Sequence, residues 1–453
     1  MKILPGLTLR PFFKPDNQIN YHMADMKLKF NIIMFICLLL AVQTFGQQKI
    51  NDPRLVEYRK AYPELDTLMK NGILTEDVTG MKYFTGYAYK TLYDWDQYFE
   101  SIVQIYMGWS SDYIKNGVII FLKNQKVNGF IARSVPSNEW HDPEHVKPFL
   151  AQISCLVYDA YGEKDWILQE PYFTKLKKYL DYWLVDMDIN KNGLSEWMSA
   201  PHTGMDNQHE RAGYWLDRGC EGVDLNSYLV KECRAFARLA KLAGKDKMAK
   251  EYEQKALDKI NTIQTLLWDE KDGFFYDRKV DKDKPLSKSI WIGAQLNARS
   301  AGMYKIPVRS AAAFTTLRAE VATPQQAKRM INEYMLNPRE FWSAYPVATL
   351  AKSEPGYTPI YHVGDYGCSW RTTTWIPTNY MVYNGLKFYG YNQIATVVAQ
   401  RTVELMQKAG NREYYNTETG EGLGFDPFWG WSLLGNFFML EEKLDWNINS
   451  IKI

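Results

Sequence analysis

Carboxylates and tryptophans of this chain fall together in the stretches between its helix-like segments. Residues 92–96 read Leu-Tyr-Asp-Trp-Asp, and residues 196–211, 342–346, 364–375 and 412–431 likewise gather Trp, Asp, Asn, Gly and His. Hydrolysis of a glycosidic bond requires such a set. One carboxylic acid protonates the departing oxygen, a second carboxylate serves the water or the sugar, and flat rings stack on the pyranose. Rival chemistries lack their parts: the chain has no Gly-x-Ser-x-Gly elbow, phosphate-cradling glycine loop, His-Glu-x-x-His helix or Cys-x-x-Cys pair. His141, His145, His202, His209 and His362 have no nucleophile turn to serve.

Helices must position these loops. Leu225, Leu229, Cys233, Phe236 and Ala240 step by helical spacing until Gly244, and Met248, Tyr252, Ala256, Ile260, Ile263 and Leu267 continue the pattern on a second helix. Similar periodicity covers residues 95–108, 112–124, 146–161, 171–186, 289–301, 324–336, 375–388, 392–409 and 431–441, whereas strand-like alternation is scarce. About eleven helices of ten to twenty residues predict an all-α chain with helical pairs wound into an (α/α)6 toroid, its loops gathered at one mouth. A helical solenoid is the rival, but no period of 34 to 47 residues is present. No linker or low-complexity tract interrupts the chain, so residues 47–453 read as a single domain.

Of the 453 residues, 54 are Lys or Arg and 52 Asp or Glu, a net charge of +2 that gives no basic face for nucleic acid. Residues 32–42 form an apolar run too short for a membrane span, which needs roughly 20 residues. Lys27 and Lys29 precede it and Thr44-Phe45-Gly46 follows, so residues 26–46 read as a secretory signal peptide and residues 1–25 as a non-native prefix. Cleavage would remove Lys2, Arg10, Lys14, Lys27, Lys29, Asp16 and Asp25, turning +2 into −1. The expected product is a secreted, periplasmic protein with no membrane span. Cys155, Cys220, Cys233 and Cys368 remain, free to pair in that compartment but not needed for stability. The aromatic content (31 Tyr, 21 Phe and 15 Trp) exceeds what a core needs and suits a neutral sugar.

Tyr93-Asp94-Trp95-Asp96-Gln97-Tyr98-Phe99 resembles the Trp-Asp-x-x-Phe signature of trehalase-like (α/α)6 glycosidases. Thr203-Gly204-Met205-Asp206-Asn207 is similar to the Ser-Gly-Met-Asp-Asn segment of glycoside hydrolase family 63. The run from Trp370-Arg371 through Trp375 to Asn379-Tyr380 resembles that family's Trp-Arg-Gly-Pro-x-Trp-x-x-x-Asn-Tyr. Glu413-Tyr414-Tyr415, Thr419-Gly420-Glu421-Gly422-Leu423-Gly424 and Pro427-Phe428-Trp429-Gly430-Trp431 are similar to its ending. Lesser matches are residues 223–226, 267–277 and 341–345, all in the family's order. The resemblance implies an inverting α-glycosidase with Asp206 as general acid and Glu413 as general base, their carboxyls roughly 6.5–9.5 Å apart. It further implies sugar contacts from Trp95, Asp96, Lys147, Trp197, Asn207, Trp370, Arg371, Trp375 and Trp431. Asp206, between Trp197 and Trp215, is expected to have a raised pKa, and Glu413 to sit in a wet glycine-rich loop. Two departures flank the acid: His202 stands where the family often has an acidic residue, and Gln208-His209-Glu210-Arg211 is one residue longer than the usual continuation.

Plainer readings stand beside these. Asp206-Asn207 could form a turn, Asp96 could be a helix N-cap, Lys147 a solubilising loop charge, and Glu418 or Glu421 the base. The substrate expected is an oligosaccharide or small glycoside, α-glucosidic or related. The alternatives are a mannosylglycerate-type hydrolase acting on a small anionic glycoside, a polysaccharide lyase on the same toroid, and a non-catalytic sugar-binding barrel. No cofactor is required. Asp188, Asn190 and Asn192 have the spacing of a calcium loop, but position twelve is Ser199, which favours a polar turn.

Overall fold

The computed structural model describes residues 50–137, 143–213, 219–285, 298–358, 369–444 and 448. The expected prefix, signal segment, Trp215, Cys368 and most of the helix expected over residues 289–301 lie outside these. Among the described residues, helices dominate. They are α1 (Pro53–Ala61), α2 (Pro63–Met69), α3 (Asp94–Met107), α4 (Ser111–Lys123), α5 (Leu150–Tyr161) and α6 (Tyr172–Asp181). Next come α7 (Val223–Leu242) and α8 (Asp246–Leu266), then α9, a 3-10 turn Ala311–Phe314 running into Thr315–Arg318. Helix α10 (Pro324–Arg329) widens into a π turn, Met330–Met335, and α11 (Ile376–Phe388) and α12 (Asn392–Ala409) follow. The last, α13, joins a 3-10 stretch Trp431–Phe437 to Phe438–Glu441.

Alternate helices close a ring. Helix α3 touches α5, α5 touches α7, α7 touches α9, α9 touches α11, α11 touches α13, and α13 returns to α3. The others stand outside: α1 and α4 against α3, α6 and α8 against α7, and α12 against α11 and α13, while Met330 beside α10 meets Thr316 of α9. Burial separates the two layers. Every residue of α3 is buried, whereas α8 buries only Tyr252, Ala256, Lys259 and Ile263, one stripe at helical spacing. The expected turn after α7 is present: Leu242 is its last residue, and Gly244 takes the left-handed φ of +72° that glycine tolerates best.

Three helices were not expected from the sequence. Residues 53–69 form α1 and α2, each opened by a proline at its first turn. The fourth inner helix, α9, has only eight residues, all buried, a run shorter than the window in which helical periodicity shows.

Short strands pin the connecting loops. Strand β1 (Ile73–Thr75) pairs with β2 (Lys82–Phe84), and β3 (Leu92–Tyr93) pairs with β4 (Ser134–Val135). Strand β5 (Thr373–Thr374), β6 (Tyr414–Asn416) and β7 (Gly422–Leu423) form an antiparallel set with β6 in the middle. Cys155, Cys220 and Cys233 are buried free thiols. Among the described residues no helix is long and apolar enough to cross a membrane.

Candidate active site

A cavity of about 470 Å³ opens where these loops meet. Trp95, Asp96, Lys147, Asp206, Trp370, Trp375, Glu413 and Trp431 line it, so eight of the eleven expected site residues come together. Tyr87, Tyr89, Thr91, Tyr93, Asp94, Arg133 and Gly204 complete the wall.

Pairing of β3 with β4 sets Tyr93 against Ser134 and brings Arg133 beside the start of α3. Asp94, the first residue of α3, accepts from the Trp95 N–H at 2.7 Å. Its other oxygen accepts from the Lys147 backbone N–H at 2.9 Å, and Lys147 Nζ lies 3.2 Å from both oxygens. Lys147 is therefore a buried ion-pair partner, not a solvated loop charge. The N-cap position is Tyr93, which leaves Asp96 inside the first turn and facing the cavity. Lys147 precedes α5, whose first N–H groups, from Ala151 and Gln152, donate to the Glu232 carboxylate of α7 at 2.6 and 3.2 Å. A carboxylate at a helix N-terminus satisfies orphaned donors and fixes where the preceding residues go.

The turn that carries Asp206 is held from several sides. Arg133 forms an ion pair with Glu144 at 3.0 Å and donates to the Pro201 carbonyl. Gly204 adopts φ +85°, and a Cβ there would collide with the Trp95 ring, so glycine serves both the turn and the close approach. Asn207 Oδ1 accepts from the Trp370 N–H at 2.8 Å, tying the Asp206 turn to the tryptophan loop. Trp370 stacks on Trp375 (centroids 3.6 Å apart, 10°), and Trp375 stacks on Tyr414 (4.5 Å, 13°). Trp95 and Trp431 close the same wall.

Glu413 leads into β6. Its carbonyl accepts from Trp431 Nε1 at 3.2 Å and Ser432 Oγ at 3.1 Å. Its carboxylate accepts from the Tyr87 hydroxyl at 2.8 Å and the Phe425 N–H at 3.2 Å. Glu413 is 3% exposed, so the wet loop expected around it is instead a buried pocket of donors. Glu421 is exposed and Glu418 pairs with Lys352 at 2.5 Å; neither lines the cavity.

The charges around the cavity are unequal. Burial pushes the Asp206 pKa up to about 6; Arg133 and Lys147 oppose that, while Glu144 and Glu413 add to it. Burial also pushes Asp96 well above the carboxylate range, helped by the Asp94 charge. Asp94 goes the other way: burial disfavours its charge, but Lys147 and Arg133 prevail and hold it low. The site thus holds an ionised Asp94 bound to a cation and, beside it, two carboxyls, Asp96 and Asp206, whose charged forms are disfavoured. A carboxyl of raised pKa facing a cavity can donate a proton, and an indole wall can hold an apolar ring face.

Three expected sugar contacts stand behind the wall. Trp197 is fully buried, donates to Asp224 at 2.7 Å and packs on Trp183 and His202. Arg371 is buried against Glu210, and Asn207 is spent on the Trp370 backbone. His202 is a core histidine: the Met198 N–H donates to Nδ1 at 3.1 Å, and Nε2 meets the His145 carbonyl at 2.8 Å. Burial, then Lys147, keeps it neutral. The Asp188 carboxylate accepts from the Asn192 and Gly193 N–H groups, and the Asn190 and Asn192 amides donate to Glu221. Arg133 and Tyr87 escaped sequence reasoning. The alternating Tyr87-Ala88-Tyr89 after Gly86 was a usable signal for the second; nothing local marks the first.

Known proteins agree with this architecture. A mannosylglycerate hydrolase of glycoside hydrolase family 63 from Thermus thermophilus, solved with glucose, superposes with a TM-score of 0.66 at 17% identity, over 83% of this chain and 99% of that one. A neutral trehalase from Saccharomyces cerevisiae superposes with a TM-score of 0.58 at 17% identity, over 85% of this chain and 83% of the other. These likenesses establish the (α/α)6 fold. In sequence, a mannosylglycerate hydrolase from Thermus thermophilus is 28% identical over 166 residues, 37% of this chain and 33% of that protein. The match thus spans about a third of that relative's length. The family described as the mannosylglycerate hydrolase MGH1-like glycoside hydrolase domain matches residues 89–432. That span runs from the aromatic loop before α3 to the start of α13 and takes in every residue of the cavity wall except Tyr87, and the chain belongs to that family.

Proposed function

We propose that this protein hydrolyses an α-glycosidic bond with inversion, Asp206 acting as general acid and Glu413 as general base. One observation carries the reading. Asp206 and Glu413, 207 positions apart in sequence, face a single indole-walled cavity. Asp206 there has a pKa of about 6, and Glu413 is surrounded by hydrogen-bond donors. Protonated Asp206 gives its proton to the glycosidic oxygen as that bond breaks. Glu413 takes a proton from a water that attacks the anomeric carbon from the opposite face. The product leaves as the β anomer, and the two carboxyls exchange protonation states through solvent. Water and two carboxylates suffice, so the reaction calls for no cofactor.

Arg133 and Lys147 on the wall favour a second, narrower reading of the substrate. A small glycoside whose aglycone carries a carboxylate, as a mannosylglycerate-type compound does, would share these cations with their present partners, Arg133 with Glu144 and Lys147 with Asp94. The signal-like residues 26–46 support a periplasmic location for the enzyme.

The test is a sugar-release screen on α-glucosides and α-mannosides, including mannosylglycerate, with Asp206→Asn and Glu413→Gln beside the wild type. Full activity in either variant removes the assignment. NMR of the first-formed anomer checks inversion, and an α product contradicts it. Sugar binding without release in every case would make the barrel a binding protein.

A further inference from the structure

Glu413 is held by a loop that no motif of the chain singles out. Residues 85–91 join β2 to β3 and are anchored at both ends. Thr85 Oγ1 donates to the Thr91 carbonyl at 2.6 Å, and Trp429 Nε1 donates to the Thr85 carbonyl at 3.1 Å. The Gly86 N–H reaches the buried Glu100 carboxylate, and Gly86 lies against Gly430 so closely that a Cβ would collide with that backbone. Between these anchors the Tyr87 ring stacks on Tyr89 (5.1 Å, 14°) and meets Tyr93, Phe425, Phe428 and Trp431 edge-on. Five aromatic rings thus fix one phenol, and its hydroxyl donates to Glu413 Oε1 at 2.8 Å.

We propose that Tyr87 is a positioning residue for the base, its hydroxyl orienting the Glu413 carboxylate so that a lone pair faces the attacking water. The inference rests on the reading of Glu413 as the base. Each carboxylate oxygen can accept about two hydrogen bonds, and the phenol supplies one to Oε1 while the Phe425 N–H supplies one to Oε2. Donation to the anion also favours the charged form that a base requires. Ring and hydroxyl do separate work: the ring packs the loop against α13, and the hydroxyl reaches the chemistry.

Tyr87→Phe separates the two because it removes one oxygen and keeps the ring contacts. With the glycoside identified in the screen, kcat is expected to fall about tenfold or more while KM stays within about twofold, and the acid limb of the kcat profile should move up by about one pH unit. An unchanged thermal midpoint shows that the fold is intact. Wild-type kcat with an unmoved acid limb overturns the inference, and so does a raised KM at constant kcat, which would make the hydroxyl a sugar contact. Glu413→Gln measured alongside tells the two ideas apart. If that variant is inactive while Tyr87→Phe behaves as wild type, only the positioning role falls. If Glu413→Gln turns over normally, the base assignment falls and this inference with it.

Discussion

Replacing Arg133 with methionine should move the alkaline limb of kcat/KM to higher pH, because Arg133 holds down the pKa of the proposed acid. Asp206 sits at about 6, with burial pushing it up and Arg133 the foremost opposing charge. At pH 7 a group of that pKa is protonated about one-eleventh of the time. Removing the guanidinium withdraws one cation, and it strands Glu144, which already raises Asp206 and is bonded to Arg133 at 3.0 Å. Both changes act in the same direction. Loss of an opposite charge at close range is worth about one pKa unit or more, roughly 1.4 kcal/mol. A shift of one unit lifts the protonated fraction at pH 7 to about one half, about a fivefold gain in competent enzyme. The assay is kcat/KM from pH 5 to 9 on an uncharged α-glycoside, which reports the free enzyme and avoids any contact between Arg133 and an anionic aglycone. Glu144 is 3% exposed, so stranding it could unfold the turn. The Arg133→Met/Glu144→Gln pair removes both charges and should give a smaller shift, still upward, since Arg133 outweighs Glu144 at Asp206. A limb that stays in place or moves down in a folded variant refutes the reasoning.

The same raised pKa has a cost in stability. The folded pKa of Asp206 lies above the unfolded one, so its contribution is complete below about pH 4 and is lost as pH rises through about 6. Asp206→Asn escapes that loss: it should be more stable than wild type at pH 8, by about 1–2 kcal/mol after screening at the open cavity, and no more stable at pH 4. Equal differences in urea midpoint at the two pH values would rule this out. Gly424→Ala should lower kcat by about a hundredfold, because Gly424 has φ +74° and a Cβ there would strike Glu413 Oε2 and the Tyr414 ring. Gly390→Ala is its control, with φ +80° and nothing within 4 Å of the new Cβ; equal losses in both would point to backbone strain rather than displacement of the carboxylate.

Legibility in the sequence followed how local each feature is. Leu225, Leu229, Cys233, Phe236 and Ala240 are all buried on one stripe of α7, so their spacing announced the helix. Asp206, Glu413 and the tryptophans sit in contiguous motifs and were readable one loop at a time. Arg133 was not, because it enters the site through a two-residue strand pairing that brings residue 134 to residue 93. Asp94 and Lys147 were both in view, yet their ion pair depends on α3 and α5 being neighbours in the ring. Trp197 misled for the opposite reason: a tryptophan near a motif carries no sign of which way it faces, and this one faces Asp224 and the core. Helix α9 hid because its eight residues, four of them a 3-10 turn, are too short a run for a helical period to show.

The ring of inner helices closes between α3 and α13, the first and last of its members, and Trp95 and Trp431 from those two helices share one wall of the cavity. During synthesis Asp206, the proposed acid, emerges before Glu413. A ribosome-bound intermediate that ends before residue 431 already holds Asp206 and Lys147, but it lacks Trp431, whose indole fixes the Glu413 backbone. Turnover can begin only once the final helix docks on the first inner one, across some 330 residues of sequence, a contact of high order that forms late. Appearance of activity during refolding would therefore clock the last long-range step of folding rather than the earlier growth of helices.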